Sequence, residues 1–257
     1  RMPAVRLIKP DWQKDHVYFI TYPRAKIIPQ VSPWSLKLET WLRIMQLPYT
    51  GISNEFKYWS TKGQVPFVEL NGRQIADSNH IIDVLKTEFK KTIDSSDPLE
   101  KSRVTAITAL VEDTLTPANG AITFHKKNMD FVASDDYFGR YLGTGIKKAI
   151  VRIIMKRKMA GIVKTRALAS GYGLRTSEEL DKIVKESLDA LSTYLGDRPF
   201  FGGSQPATVD CTVFGHIARI VFVTPNEFEA YLREKRPNLI AFAERMKDSY
   251  WPDWEET

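Results

Sequence analysis

The chain has 257 residues, of which 43% are hydrophobic and 26% charged, as in an ordinary globular protein with room for one large or two smaller domains. Its single cysteine, Cys211, excludes an internal disulfide, argues against a thiolate metal cluster and fits a reducing compartment such as the cytoplasm. The net charge of +6 is local, because residues 137–177 hold ten Lys or Arg and no Asp or Glu. No apolar run approaches the roughly 20 residues that a membrane-spanning helix needs.

The first predicted elements are a strand, a long loop and a helix. β-branched and aromatic residues predict a strand over 16–22, and a proline-bearing loop over 23–31 separates it from the helix. Ser32 suits the N-cap of that helix, and Pro33 suits its first position, where a missing N–H costs nothing. Leu47-Pro48 ends the helix. Its apolar residues recur at helical spacing and are Trp34, Leu38, Trp41, Leu42 and Met45.

Further strands and a hairpin follow. A strand over 49–56 leads through a polar loop to Val65-Pro66 and a third strand over 67–70. Asn71-Gly72 is a strong two-residue hairpin signal and predicts an antiparallel fourth strand. Asp77-Ser78 then opens a helix whose apolar face consists of Ile81, Ile82 and Leu85.

The second half of the chain is predicted to be helical almost throughout. The segment 94–98 has the composition of a linker, so we expect an α/β domain over 17–93 and an all-α domain over 98–254. Thr176 and Glu179 have the spacing of a capping box, which opens a long helix. The apolar residues of that helix recur over 180–195, and further helices are predicted over 104–111, after Asp210 and over 238–246.

Three short motifs of the first domain suit parts of a peptide-like thiol ligand. Free N–H groups and the positive end of a helix dipole beside Ser32 suit a thiolate. A cis Val65-Pro66 bond would leave the Val65 backbone free to pair with an extended ligand. At Asp77-Ser78, the helix end suits the carboxylate of an α-amino acid head group and Asp77 suits its ammonium. Each motif alone is also an ordinary cap or turn, so it is their order and spacing that favour a ligand site.

That order resembles the thioredoxin-like half of glutathione transferases, where an active-site serine starts helix 1, a cis-proline precedes strand 3 and an acidic-Ser pair precedes helix 3. Over roughly residues 17–254 the chain further resembles the failed axon connections family, which is related to metaxins and to cadmium-responsive nematode proteins. The segments that carry this resemblance are Ser-Pro-Trp-Ser-Leu-Lys-Leu-Glu-Thr-Trp-Leu-Arg (32–43), Pro-Ala-Thr-Val-Asp-Cys-Thr-Val-Phe-Gly (206–215) and Tyr-Trp-Pro-Asp-Trp (250–254).

The resemblance implies a glutathione-transferase-like fold, with a thioredoxin-like domain followed by a helical one, and glutathione as cosubstrate. It implies that Ser32 donates a hydrogen bond to the sulfur and stabilises the thiolate. Tyr22 is the alternative activator, because several transferase classes use a tyrosine at the end of strand 1. Ser32 and Ser35 stand where redox relatives carry Cys-x-x-Cys, so disulfide exchange there is excluded. The implied glutathione contacts are Val65, Pro66, Asp77 and Ser78, with Lys62 and Gln64 near the glycine carboxylate.

Two functions follow from this resemblance. One is detoxification by conjugation of glutathione to hydrophobic electrophiles, with an apolar pocket between the domains near Trp34, Phe124, Tyr137 and Trp254. The other is a non-enzymatic scaffold in axon development or in association with a membrane or organelle, since family members are linked to axon development and mitochondrial import. Transferases commonly form homodimers, although the loop 23–31 and the basic stretch are each placed where they would block the usual interface.

The basic stretch over 147–159 has two interpretations. It is an amphipathic helix that lies on an anionic membrane, or an ordinary helix that buries Ile150, Ile153 and Ile154 and leaves its cations in water. Nucleic acid is not an expected partner, because neither interleaved aromatic residues nor a known module accompanies the charge.

Four remaining features are interpreted structurally. Asp210 resembles the aspartate that helps to cap the central helix of the second transferase domain, although Ala207 stands where Ser or Thr is expected, with Thr208 as a substitute. Cys211 is expected to be a buried small hydrophobic residue. No metal site is expected, because the histidines lack metal-ligand spacing and are interpreted as structural or surface residues: His16, His80, His125 and His216.

Overall fold

The computed structural model describes residues 6–126, 130–223 and 227–256. Its sheet has the strand order β2-β1-β3-β4. β1 is parallel to β2 and antiparallel to β3, and β3 turns back into β4 through Asn71-Gly72. β2 ends earlier than predicted because the Asn54 carboxamide accepts the N–H of Phe56 and turns the chain. The strands are β1 (Val17–Thr21), β2 (Tyr49–Ser53), β3 (Phe67–Leu70) and β4 (Arg73–Ala76).

Two helices pack on this sheet, α1 (Pro33–Ile44) and α2 (Ser78–Phe89). Both begin where the sequence predicts, because Ser32 and Asp77 cap their first N–H groups. Buried side chains from β1, β3 and both helices form one apolar cluster, which Cys211 joins from the helical domain. The cysteine is fully buried, as predicted, and burial raises the pKa of its thiol.

The rest of the described chain is helical. The capping box predicted at Thr176 is present, with both of its hydrogen bonds to Glu179. The helix after Asp210 is almost entirely buried at the centre of the domain. No helix within the described ranges is long and apolar enough to cross a bilayer. The elements are α3 (Pro98–Ala109), a π-helical turn (Leu110–Leu115), α4 (Thr116–Lys126), α5 (Gly145–Ala169), α6 (Ser177–Leu195), α7 (Thr208–Phe222), α8 (Glu227–Lys235) and α9 (Pro237–Tyr250).

The start of α7 is held by two aspartates. Asp210 accepts the N–H groups of three preceding residues at 2.6–2.9 Å, although burial still raises the pKa of its carboxyl to about 6. Ala207 stands at the N-cap and has no side-chain acceptor. Asp94, from the segment predicted as a linker, supplies the acceptor instead and binds both the N–H and the hydroxyl of Thr208 at 2.8 Å. Thr208 is therefore a donor to this cap rather than the substitute acceptor that the sequence suggested.

The long loop over 23–31 is largely buried between the two domains. The Ile27 N–H donates to the carbonyl of Asp136 at 3.0 Å, and the Arg24 carbonyl accepts from Tyr141 at 2.8 Å. The loop therefore fastens the sheet domain to the segment before α5. The lead-in to β1 is fixed as well, because the buried Glu69 carboxylate accepts the N–H groups of Ile8 and Lys9.

Contact between the domains is closest where α7 crosses α1. Gly215 lies so near to α1 that a Cβ added there would come within 2.6 Å of the Pro33 carbonyl oxygen and 2.7 Å of the Lys37 nitrogen. A glycine is required at this crossing because any side chain would displace the N-terminal turn of α1, which is the turn that Ser32 caps.

Candidate functional site

A cleft of about 630 Å³ lies between the sheet domain and the helical domain. This volume falls in the range of roughly 300–1,000 Å³ that is usual for small-molecule sites. One wall is contributed by Tyr22 directly after β1, the loop 23–31, the loop before β3 and the N-termini of α1 and α2. The other is contributed by the π-helical turn, α4, α5 and α7. The sequence-predicted residues on the first wall are Tyr22, Ser32, Gln64, Val65, Pro66, Asp77 and Ser78.

Ser32 lies at the N-terminus of α1 and lines the cleft with 8% of its surface exposed. Its hydroxyl oxygen accepts a long, 3.4 Å hydrogen bond from the Ser35 N–H. Within the described part of the chain its own O–H has no protein acceptor, so the proton is available to a ligand. Ser35 is fully buried beneath it and is fixed by a 2.8 Å hydrogen bond to the hydroxyl of Thr21. The hydroxyl of Ser32 is the one that faces the cleft.

The segment before β3 passes along the floor of the cleft. The Val65–Pro66 peptide bond is cis. The pairing of β3 with β1 begins at Phe67, so Val65 precedes the ladder. Gln64 is exposed and lines the cleft, whereas Lys62 is exposed on the same loop and is not among the lining residues.

Asp77 combines a capping role with an unusual backbone. One carboxylate oxygen, Oδ1, accepts the N–H groups of Asn79 at 3.1 Å and of His80 at 3.2 Å. The residue is exposed and its φ of +84° is strained for a side chain with a Cβ. Ser78, directly after it, is 5% exposed and starts α2. The pair therefore places a carboxylate, a hydroxyl and a helix N-terminus together at the cleft.

Tyr22 also reaches the cleft, but within an aromatic cluster. Its ring lies 5.9 Å from the rings of Phe56 and Phe138 and 6.0 Å from that of Trp59. Burial raises the pKa of its hydroxyl, although the Arg166 cation opposes the shift. Tyr22 is therefore a weaker acid than a free tyrosine.

The half of the cleft that faces the helical domain is mainly apolar. Of the four residues predicted to form an apolar pocket, Trp34 lines it, and the other three do not. Trp254 is packed against Trp251 in the core of the helical domain, and Tyr137 is buried against Phe131. The apolar residues that line the cleft there are Ile28, Val31, Leu115, Met159, Ile162, Val163 and Ile220.

A buried charged cluster lies beside the cleft, and sequence reasoning missed it. The Lys37 ammonium is completely buried on α1 and binds the Glu112 carboxylate at 2.7 Å. Asn79 on α2 accepts from Lys37 and donates to Glu112 at 2.7 Å. Burial alone would raise the pKa of Glu112, but the nearby His216 ring and the bound Lys37 ammonium outweigh it and lower the pKa to about 2. The cluster therefore ties the two helices that carry Ser32 and Asp77 to the helical domain.

His216, on α7, completes this cluster. Its Nδ1 is 2.6 Å from the Thr116 hydroxyl, and its ring lies 5.3 Å from that of Trp34. Its Nε2 is buried without a hydrogen-bond partner in the described residues, 3.7 Å from Glu112. Burial lowers the pKa of His216, which favours the neutral ring. Across the described ranges, no three His, Cys, Asp or Glu side chains are placed to hold a metal ion.

Family comparisons match both halves of the chain. The glutathione S-transferase N-terminal domain matches residues 33–129, and the glutathione S-transferase C-terminal domain matches residues 184–246. The chain belongs to the glutathione-transferase-like superfamily. The fold predicted from the order of the three motifs is therefore confirmed.

The similar proteins include Failed axon connections and metaxins on one side and a named glutathione S-transferase on the other. Failed axon connections from Drosophila melanogaster is 34% identical over 96% of this chain, which spans 61% of that relative's length. Metaxin-2 from Mus musculus is 26% identical over 95% of this chain and 91% of its own length. Isoprene-epoxide–glutathione S-transferase from Rhodococcus sp. (strain AD45) is 25% identical over 89% of this chain and 97% of its own length. The predicted likeness to failed axon connections and to metaxins is confirmed.

Solved structures show the same fold. The β-etherase LigF from Sphingobium sp. strain SYK-6 has a TM-score of 0.59 at 17% identity, with 90% of this chain and 94% of that chain covered. A glutathione S-transferase from Methylobacillus flagellatus, solved with glutathione bound, has a TM-score of 0.56 at 13% identity. The similarity covers 90% of this chain and 94% of that chain.

Proposed function

We propose that the cleft binds glutathione and that Ser32 stabilises the bound thiolate for conjugation to a hydrophobic electrophile. The observation that carries this proposal is the meeting, in one cleft, of three motifs that are dispersed along the sequence and of two helix N-termini. A relative that is named as a glutathione transferase, and a similar fold solved with glutathione bound, support it.

Each part of glutathione has a matching group on the sheet-domain wall. The N-terminus of α2 and the Ser78 hydroxyl suit the carboxylate of the γ-glutamyl group, because helix N-termini favour anions. Asp77 uses Oδ1 for the cap, which leaves Oδ2 for the ammonium. The Val65 backbone suits the extended peptide portion. Lys62 and Gln64 are the proposed partners of the glycine carboxylate.

The chemistry takes place at Ser32. A hydrogen bond donated by its O–H to the sulfur, together with the dipole of α1, lowers the pKa of the bound thiol by about one or two units, and the thiol proton is released to water. The thiolate attacks a carbon of the electrophile and forms a thioether. The electron pair of the broken bond leaves on the departing group or on an opened-ring oxygen, which takes a proton from water. The apolar half of the cleft holds the electrophile.

The alternative is a non-enzymatic scaffold. It is favoured by the names of two relatives, Failed axon connections and Metaxin-2. It is also favoured by the fact that Ser32 and Asp77 already act as helix caps, which would explain their presence without a ligand. The two functions differ in one measurable property, which is whether glutathione binds.

A charge-removing variant of Asp77 distinguishes the two. In Asp77→Asn the amide oxygen still caps α2, and Asn tolerates the positive φ, so the thermal midpoint should change by no more than a few degrees. Loss of the charge-assisted bond to the ammonium should weaken glutathione binding at least about tenfold. Calorimetric titration of glutathione into the wild type and the variant measures both affinities.

Asp97→Asn is the matched control, because Asp97 caps α3 in the same way and is exposed outside the cleft. It loses the same favourable charge at a helix N-terminus and should bind glutathione like the wild type. Absence of glutathione binding by the wild type would favour the scaffold, whereas equal affinities of the wild type and Asp77→Asn would show that Asp77 does not hold the ammonium.

A further inference from the structure

The outer face of α5 carries an apolar stripe. Ile146 is 82% exposed, Ile150 53%, Ile153 52% and Ile154 59%. Their spacing places all four on one side of the helix. The sequence interpretation in which Ile150, Ile153 and Ile154 are buried is therefore wrong. Single exposed apolar residues are common, but a contiguous stripe indicates an interaction surface.

Exposed cations lie on the same side of α5 as this stripe. Helical spacing places Lys147 at the edge of the stripe and Arg157 and Lys164 in line with it, and all three side chains are exposed. The sequence from 137 to 177 contains no carboxylate. Two further cations are directed away from the stripe, since Lys148 forms an ion pair with Asp135 at 2.9 Å and Lys158 lies over the ring of Trp59. The face therefore combines exposed apolar side chains with positive charge.

This arrangement selects one kind of partner. A second copy of the chain would bring two positively charged faces together, which electrostatic repulsion opposes. A nucleic acid would satisfy the cations but would leave the isoleucine stripe against phosphates. An anionic lipid surface accommodates both the isoleucine stripe and the cations, with the apolar side chains below the headgroups and the cations among them.

We propose that α5 is an interfacial helix that docks this protein onto an anionic lipid bilayer through Ile146, Ile150, Ile153 and Ile154, with Lys147, Arg157 and Lys164 at the headgroups. The helix lies in the plane of the interface and does not cross the bilayer. The docking does not depend on glutathione, so it stands or falls separately from the proposed conjugation.

Vesicle flotation tests the apolar stripe. The full chain should bind phosphatidylcholine vesicles that contain phosphatidylserine at least about tenfold more tightly than vesicles of phosphatidylcholine alone. The variant Ile150→Ser/Ile153→Ser/Ile154→Ser should lose at least about tenfold in affinity for the anionic vesicles, because it removes the inserted apolar surface. Since the three side chains are exposed, circular dichroism and the thermal midpoint should remain those of the wild type.

A matched pair of charge variants tests the cations. Lys147→Gln/Arg157→Gln/Lys164→Gln should lower affinity for anionic vesicles at least about tenfold and should weaken its salt dependence. Lys14→Gln/Lys91→Gln/Lys101→Gln removes the same charge from exposed positions outside α5 and should bind like the wild type. The proposal is overturned if the wild type does not float with anionic vesicles, if both charge variants lose affinity equally, or if light scattering shows that the isoleucine stripe instead forms a dimer.

Discussion

At the scale of residues, the sequence offers two hydroxyls as activators of the thiol, Ser32 first and Tyr22 as the alternative. Ser32 caps α1 loosely, lies at the positive end of the helix dipole and keeps its proton for a ligand. Tyr22 lies among aromatic rings, and its pKa is raised by burial. The Ser32 hydroxyl is therefore better suited than that of Tyr22 to stabilise a neighbouring thiolate at neutral pH.

This difference predicts how the bound thiol titrates. In Ser32→Ala the pKa of glutathione in the complex should rise by about one or two units toward its value in water, and Tyr22→Phe should leave it unchanged. A pH titration of the thiolate absorbance in the ultraviolet measures both. If Tyr22→Phe raised the pKa and Ser32→Ala did not, the assignment of the two hydroxyls would be reversed.

The residues that the sequence could identify are those with local signals. Ser32, Asp77 and Ser78 stand at helix starts, and Val65 precedes a proline and a strand. Neighbouring residues therefore identify all four. Lys37 offers no such signal. It resembles a solvated cation on a helix, and its partner Glu112 is 75 positions further along the chain. Burial of Lys37 is decided by the packing of the other domain, which a single sequence does not display.

At the scale of elements, agreement is best where a cap defines the boundary. α1, α2 and α6 begin at the predicted residues, because Ser32, Asp77 and Thr176 each accept an N–H from the first turn. α8 was not predicted, although its apolar residues Phe228, Tyr231 and Leu232 recur at helical spacing and Phe228 and Leu232 are buried. The π-helical turn at 110–115 has no local signal, because it fits the chain to the packing of its neighbours.

Alanine substitution should change the stability in opposite directions at Gly215, where α7 crosses α1, and at Gly161, which lies on α5. An alanine in a helix usually stabilises a protein by up to about 1 kcal/mol relative to glycine. Gly161→Ala should do so, because nothing lies within 4 Å of its added Cβ. Gly215→Ala should instead lower the free energy of unfolding by about 1–3 kcal/mol, since its Cβ meets the backbone of α1.

Urea denaturation of both variants measures this difference, and glutathione titration of Gly215→Ala should show weaker binding because the turn that carries Ser32 moves. Stabilisation by Gly215→Ala equal to that by Gly161→Ala would mean that the two helices are further apart in solution.

At the scale of the whole molecule, a buried ion pair connects the domains and responds to acid. Glu112 has a pKa of about 2 when folded and an ordinary value near 4.5 when unfolded. Because the folded pKa is depressed, the stabilisation is present above about pH 4.5 and is lost as the pH falls toward 2. Asp210 has the opposite sign, since its raised pKa makes ionisation between about 4 and 6 unfavourable to the folded state.

A difference profile isolates the ion pair. Relative to the double variant Lys37→Met/Glu112→Gln, the wild type should lose about 3 kcal/mol of unfolding free energy between pH 4.5 and 2. Chemical denaturation at a series of pH values measures the two profiles, in which the contributions of Asp210 and the surface carboxylates cancel. Parallel profiles would show that Glu112 does not titrate abnormally.

The enclosed Lys37 also limits how this protein can change over generations. Loss of either Lys37 or Glu112 alone leaves a buried charge without its counterpart and costs about 3–5 kcal/mol, a large part of the stability of a typical domain. Replacement of both by apolar side chains of similar volume is close to neutral. Evolution can therefore keep both residues or replace both. A variant that has lost only one of them would be strongly destabilised. We therefore expect substitutions at positions 37 and 112 to occur together, although the two residues belong to different domains.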